Sequence, residues 1–263
     1  MESPLTNHVQ VNIPYRMLKD GYLEKFLEYQ LNPEIGFDAE ALDLITFSEA
    51  EGVAKQFHRA GRTITLHGPF MDLAPGSPDP DIREVSRKRF DQLASLVPVF
   101  KPITVVCHTG YDHKRYRAIR EQWIENSLQI WEPLAAVFKR EGACLMLENV
   151  YEKTPLEMLP LMENLKSHGV GFCLDIGHQA VFGSVPLSQW VQSMSRHLQQ
   201  LHLHDNNGEQ DDHWGLGLGN INVQRLFKEL DSLGINPLAV TLEPHREEDL
   251  RVSLEYLAPI WPW

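Results

Sequence analysis

ACLMLENVYEKTPLEMLPLMENLKSHGVGFCLDIGH, residues 143–178, contains one complete strand–helix–strand unit. The runs ACLMLE (143–148) and VGFCLD (170–175) are apolar, six residues long and bounded by turn signals, as strands of a buried parallel sheet are. Between them, 156–168 has the length and spacing of an amphipathic helix, and Gly169 supplies the left-handed residue that ends one. The same alternation extends in both directions. Strands are expected at 8–13 (HVQVNI), 33–37 (PEIGF), 63–67 (TITLH), 102–107 (PITVVC), 200–204 (QLHLH) and 238–243 (LAVTLE). Helices are expected at 16–30, 48–60, 81–97, 116–141, 187–197, 222–233 and 246–257. Eight units of about thirty residues each make a closed (β/α)8 TIM barrel, one α/β domain over residues 1–263. An open doubly wound sheet competes poorly, because the first strand is followed by no glycine-rich fingerprint and eight even repeats exceed its needs.

Local signals sharpen some boundaries. Ser48, with Glu51 three positions on, reads as an N-cap, and Gly234, like Gly169, as a helix terminator. No Pro/Ser/Gly-rich linker divides the chain. Hydrophobic residues make up 43%, enough for one large core. Cys107, Cys144 and Cys173 lie in apolar runs and read as reduced core thiols of a cytosolic protein. MESPLTNHVQVNIPY has no leader-like character and no run of 18 apolar residues occurs, so a soluble, cytoplasmic protein is expected. The 24 Lys and Arg stand against 36 Asp and Glu, a formal charge of −12, which disfavours nucleic-acid and anionic-membrane surfaces. Bound cations are one way to carry such an excess of carboxylates, and the 12 histidines point the same way.

Active sites of such barrels form at the C-terminal ends of the strands. Six consecutive strands deliver a metal-competent side chain there: His67, His108, Glu148, Asp175, His204 and Glu243. His178, in DIGH, and Asp211 and His213, in the loop after strand seven, complete a set of five histidines and four carboxylates. Nitrogen-rich sets of this kind suit Zn, Mn, Fe or Co, and nine ligands suffice for one to three ions. The run GLGLGN (215–220) leads into helix seven, where barrels often bind phosphate, so Gly217 and Gly219 are expected at the substrate with Trp214 of the same loop. Phe70 is expected to floor a small-molecule pocket.

LHGPF (66–70), VVCHTG (105–110), LEN (147–149), CLDIGH (173–178), HLHDN (202–206), D-x-H-x-x-x-G-x-G (211–219) and LEP (242–244) together resemble the xylose isomerase-like barrels. That group includes sugar isomerases and epimerases and, as AP endonuclease family 2, endonuclease IV. Resemblance to the first branch implies one metal on Glu148, Asp175, His204 and Glu243, and proton transfer between Glu148 and Glu243 through an enediolate. His178 would orient a substrate hydroxyl, and the substrate would be a sugar or sugar phosphate. The Arg that ketose 3-epimerases carry after the strand-seven His is absent from DNNGEQDDH. Resemblance to the second branch implies three zinc ions: His67, His108 and Glu148; Glu148, Asp175, His204 and Glu243; and His178, Asp211 and His213. A multinuclear zinc hydrolase or phosphodiesterase is then the alternative function. IGFDAEALDLITF (35–47) lacks the arginine that would enter a duplex, which counts against DNA as substrate. The sequence reading sets the isomerase or epimerase first.

Overall fold

The computed structural model describes residues 5–263; the first four residues of the stretch searched for a leader lie outside them. Eight parallel strands pair in chain order: β1 (Gln10–Pro14), β2 (Asn32–Gly36), β3 (Thr65–His67), β4 (Thr104–His108), β5 (Cys144–Glu148), β6 (Gly171–Asp175), β7 (Leu198–Leu203) and β8 (Ala239–Leu242). Pairing of Gln10 with Thr241 and of Val11 with Leu242 closes the barrel. The crossover helices are α1 (Leu23–Glu28), α2 (Phe47–Arg59), α3 (Pro80–Phe100), α4 (Arg120–Arg140), α5 (Leu159–Leu165), α6 (Leu187–Met194), α7 (Val223–Ser232) and α8 (Glu247–Leu257).

Two expectations are corrected by local chemistry. The helix expected at 16–30 is broken: Gly21 adopts φ +96° within a π-type turn at Leu18–Tyr22, and α1 starts only after it. The cap of α2 is Thr46 rather than Ser48. Its hydroxyl accepts from the Glu49 amide at 3.3 Å, while the Glu49 carboxylate accepts from the Thr46 amide at 3.1 Å. Gly169 and Gly234 do end their helices, at φ +77° and +67°.

Outward-facing strand residues pack with the helices in one continuous core, which includes Cys107, Leu147, Leu174, Leu201 and Leu242. Inward, Val106, Met146 and Cys173 form a separate small plug, with Cys144 only partly buried beside it. Cys144 therefore departs from the expected core position, and its thiol donates to the Gly169 carbonyl at 3.1 Å. All three thiols are free. Among the described residues no helix is long and apolar enough to cross a membrane.

Candidate metal centre

The two-residue period of a strand builds the site on top of that plug. One step beyond Val106, Met146 and Cys173, the inward positions are His108, Glu148 and Asp175. On β7 the inward series is Gln200 and His202, with His204 just past the strand end; on β8 it is Thr241 followed by Glu243. β3 ends at His67. The short helix Ile176–Phe182 starts on Asp175, whose Oδ1 accepts from the His178 amide at 2.6 Å, and so presents His178 to the same space.

Glu148 is the centre of the arrangement. Its Oε2 lies 3.2 Å from His67 Nε2 and 3.3 Å from His108 Nε2, and its Oε1 lies 3.2 Å from His178 Nδ1 and 3.3 Å from His202 Nδ1. Each carboxylate oxygen therefore faces two imidazoles, and the side chain is 1% exposed. Asp175 Oδ1 lies 3.1 Å from His204 Nε2, and Asp211 Oδ2 lies 3.3 Å from His178 Nε2 and 3.4 Å from His213 Nε2. Glu243 Oε1 lies 3.1 Å from His202 Nδ1 and accepts from Asn12 Nδ2 at 3.2 Å. His213 Nδ1 donates to the Glu243 carbonyl at 3.1 Å.

Burial opposes the charge on Glu148, but the imidazoles of His202, His108 and His178 outweigh it and hold the carboxyl well below its ordinary value. Glu243 goes the other way. Burial, joined by the nearby charges of Glu148 and Asp175, raises it. For Asp211 burial is again outweighed, by hydrogen bonds from His178 and His213, and the carboxyl is lowered.

Ligand atoms of His178, His204, Asp211 and His213 all lie within 4.8 Å of one another, as do those of Glu148, Asp175 and His178, of Asp175, His204 and Glu243, and of His67, Glu148 and His202. His108 joins the cluster through Glu148. Glu148 Oε1, Asp175 Oδ2, Asp211 Oδ1, His202 Nδ1 and His204 Nδ1 are buried without an aligned hydrogen bond. Buried carboxylate and imidazole atoms left without hydrogen bonds, among ligand groups within 4.8 Å of one another, are what a bound cation would satisfy, so the residues fit divalent metal.

His202 and Glu34 belong to this site and were not singled out in the sequence. His202 Nε2 meets Glu34 Oε1 at 3.0 Å, and Glu34 Oε2 accepts from Thr65 at 2.9 Å, Gln200 at 2.8 Å and Thr241 at 2.9 Å. A fully buried carboxylate thus fixes the imidazole that faces Glu148 and Glu243, as partners behind metal-binding histidines do. The available signal was the spacing of His202 and His204, which puts both on one face of a strand.

The glycine run takes a different role from the one expected. The amides of Gly217, Gly219 and Ile221 donate to the buried Asp205 carboxylate, each at 3.0 Å, as does that of Asn206 at 2.9 Å. They are spent on an internal anion, leaving none for a phosphate. Trp214 exchanges both backbone hydrogen bonds with Asp205, and neither it nor Gly217 and Gly219 lines the cavity over the cluster of histidines and carboxylates. Phe70 does line it, together with His67, His108, Glu148, His178, Asp211, His213 and Glu243, and the cavity measures about 1720 Å³.

A crystal structure of a D-tagatose 3-epimerase-like protein is similar at TM-score 0.82 and 22% identity, with 96% of each chain covered. A Thermus thermophilus protein, solved after a zinc chloride soak, matches at TM-score 0.78 and 25% identity over 96% of this chain and 97% of that one. An uncharacterized protein of Methanocaldococcus jannaschii is 25% identical over 201 residues, 74% of this chain and 68% of its own. The model of the xylose isomerase-like TIM barrel family matches residues 32–260, which with the closed barrel and its rim of histidines and carboxylates makes this chain a member of that family.

Proposed function

We propose that the protein is a hydrolase of small phosphoesters, working at a centre of two or three divalent transition ions, with zinc or manganese first among the candidates. The observation that carries this reading is the enclosure of Glu148, two imidazoles on each oxygen. A carboxylate set among four imidazoles, with Asp175, Asp211 and Glu243 close by, has the donor set of a site for more than one divalent ion. His67 and His108 would hold one ion with Glu148. Glu148, Asp175, Glu243 and His204 or His202 would hold a second, and His178, Asp211 and His213 a third. Ions bound there supply Lewis acidity, which brings water toward a nucleophile at neutral pH and stabilises a departing oxygen.

Among the chain's own groups, Glu243 lines the cavity together with Glu148 and Asp211, and it is the one of the three whose carboxyl is raised. It accepts the proton of the attacking water as a new phosphorus–oxygen bond forms. The ester oxygen leaves with the bonding pair, and the same proton then neutralises it. Asn12 holds Glu243 in position from β1.

A second reading has its own observation. Glu148 and Glu243 both lie within 3.3 Å of His202 Nδ1, so two carboxylates converge at the floor of the barrel as a two-base sugar isomerase or epimerase requires, and a similar structure is named as an epimerase-like protein. One panel separates the two: a bis-aryl phosphate, a duplex with one abasic site, and ketoses with their phosphates, each with zinc- and manganese-loaded protein. Metal-dependent release of aryl alcohol without interconversion of any sugar supports hydrolysis. Interconversion of a ketose without phosphoester cleavage reverses the order.

A further inference from the structure

The outer imidazoles of the metal cluster are each covered by another ring, and those rings face the cavity. Phe70 stacks on His108, with centroids 4.7 Å apart and planes 25° apart, and meets His67 edge-on at 5.8 Å. Phe182 lies 6.1 Å from His178 and packs edge-to-face with Tyr151 at 5.0 Å. His245 stacks on His213 at 4.0 Å and 4°. Phe70 is 48% exposed, Met71 72% and Tyr151 52%, and all line the cavity. Phe70 and Tyr151 each make one ring contact with the protein and keep about half of their surface exposed.

Size points the same way. Pockets for small ligands occupy roughly 300–1,000 Å³, and this cavity, at about 1720 Å³, exceeds what a phosphorylated monosaccharide fills. Polar side chains, among them Asn12, Thr109, Arg115 and Arg246, line the cavity as well. Phe70 and Tyr151 add exposed apolar ring surface to the same cavity, suited to offset stacking.

We propose that the substrate carries a planar aromatic group, held against Phe70 on one side of the cluster and Tyr151 on the other, and that these two side chains determine specificity. The proposal rests on the phosphoester reading above for the polar end of the substrate. It assigns the other end.

The test is calorimetric titration of zinc-loaded protein with methyl phosphate, 1-naphthyl phosphate and adenosine monophosphate. Naphthyl phosphate is expected to bind at least about tenfold more tightly than methyl phosphate, in line with the strength of base-on-aromatic stacking. Phe70→Ala and Tyr151→Ala are each expected to lower that ratio severalfold while methyl phosphate affinity stays constant, a change that a merely structural role would not produce. Both side chains are half-exposed, so the barrel is expected to remain folded, checked by its thermal melt. Stronger binding of the nucleotide than of the naphthyl ester identifies the planar group as a base, the reverse as an apolar ring. Equal affinity for methyl and naphthyl phosphate, a ratio that survives both substitutions, or no binding of any probe overturns the proposal. If metal-dependent hydrolysis is absent and the ratio intact, the reaction assignment fails and this proposal stands. If the ratio is lost while hydrolysis persists, the opposite holds.

Discussion

Gly177 has no side chain because a Cβ there would lie 1.9 Å from Cε1 of His204. The ring cannot retreat freely, since it contacts Asp175 at 3.1 Å and stacks on His213 at 3.6 Å. Gly177→Ala is expected to cost about 1–3 kcal/mol by overpacking and to reduce the metal content, read by urea unfolding and elemental analysis. Glu152 gives a pH signature. It is buried, accepts hydrogen bonds from the Thr109 hydroxyl and, at 2.8 Å, from the Val150 amide, and burial raises it to about 7. A carboxyl raised on folding contributes stability that is fully present below its unfolded value near 4.5 and lost as pH rises through about 7, here on the order of 3 kcal/mol. Glu152→Gln is therefore expected to flatten the decline in stability between pH 5 and pH 8, measured by urea midpoints against the parent. An unchanged slope would contradict this. None of this was visible in the sequence: neither Gly177 nor Glu152 announces its environment, which is set by side chains 27 and 43 positions away, His204 and Thr109.

Asp205 organises the loop after β7 as a whole. Its two oxygens collect four backbone amides from residues 206 to 221, and the segment so fixed includes Asp211 and His213. Asp205→Ala is expected to cost about 3 kcal/mol or more, since buried amides lose a charged acceptor, and to lower metal content first at the proposed His178, Asp211 and His213 site. Retention of full metal content by a folded Asp205→Ala protein would refute this role. The glycines of GLGLGN stand out in the sequence without revealing their partner, because an amide-rich turn looks the same whether its anion is a ligand or an aspartate of the chain. The strands, by contrast, were legible to within a few residues. Apolar runs mark them, and their ends mark the rim, so eight of the nine expected ligands fall together by direct mutual distance, with His108 reaching the set through Glu148. His202 is hidden in the sequence because it lies one inward layer below the strand end, a layer that faces Glu148 and Glu243 as well.

Across the molecule, the repeat of strand and helix dictated a closed barrel, and the −12 charge bears on its partners. Even with three divalent ions bound, a surface this acidic has little counterion release to gain from a duplex. No useful nicking of abasic DNA is expected at about 0.15 M salt, and efficient nicking that disappears in His178→Ala would contradict that expectation. The reaction itself is not legible in the sequence, because the same nine candidate ligands suit two chemistries. The most direct test of the central claim is the number of metal ions per folded chain, measured by elemental analysis of protein purified without chelator and reloaded with zinc. Two or three tightly held ions per chain, falling by at least one in Glu148→Gln, is the result that a bridged centre predicts; a single ion, or none, would contradict it.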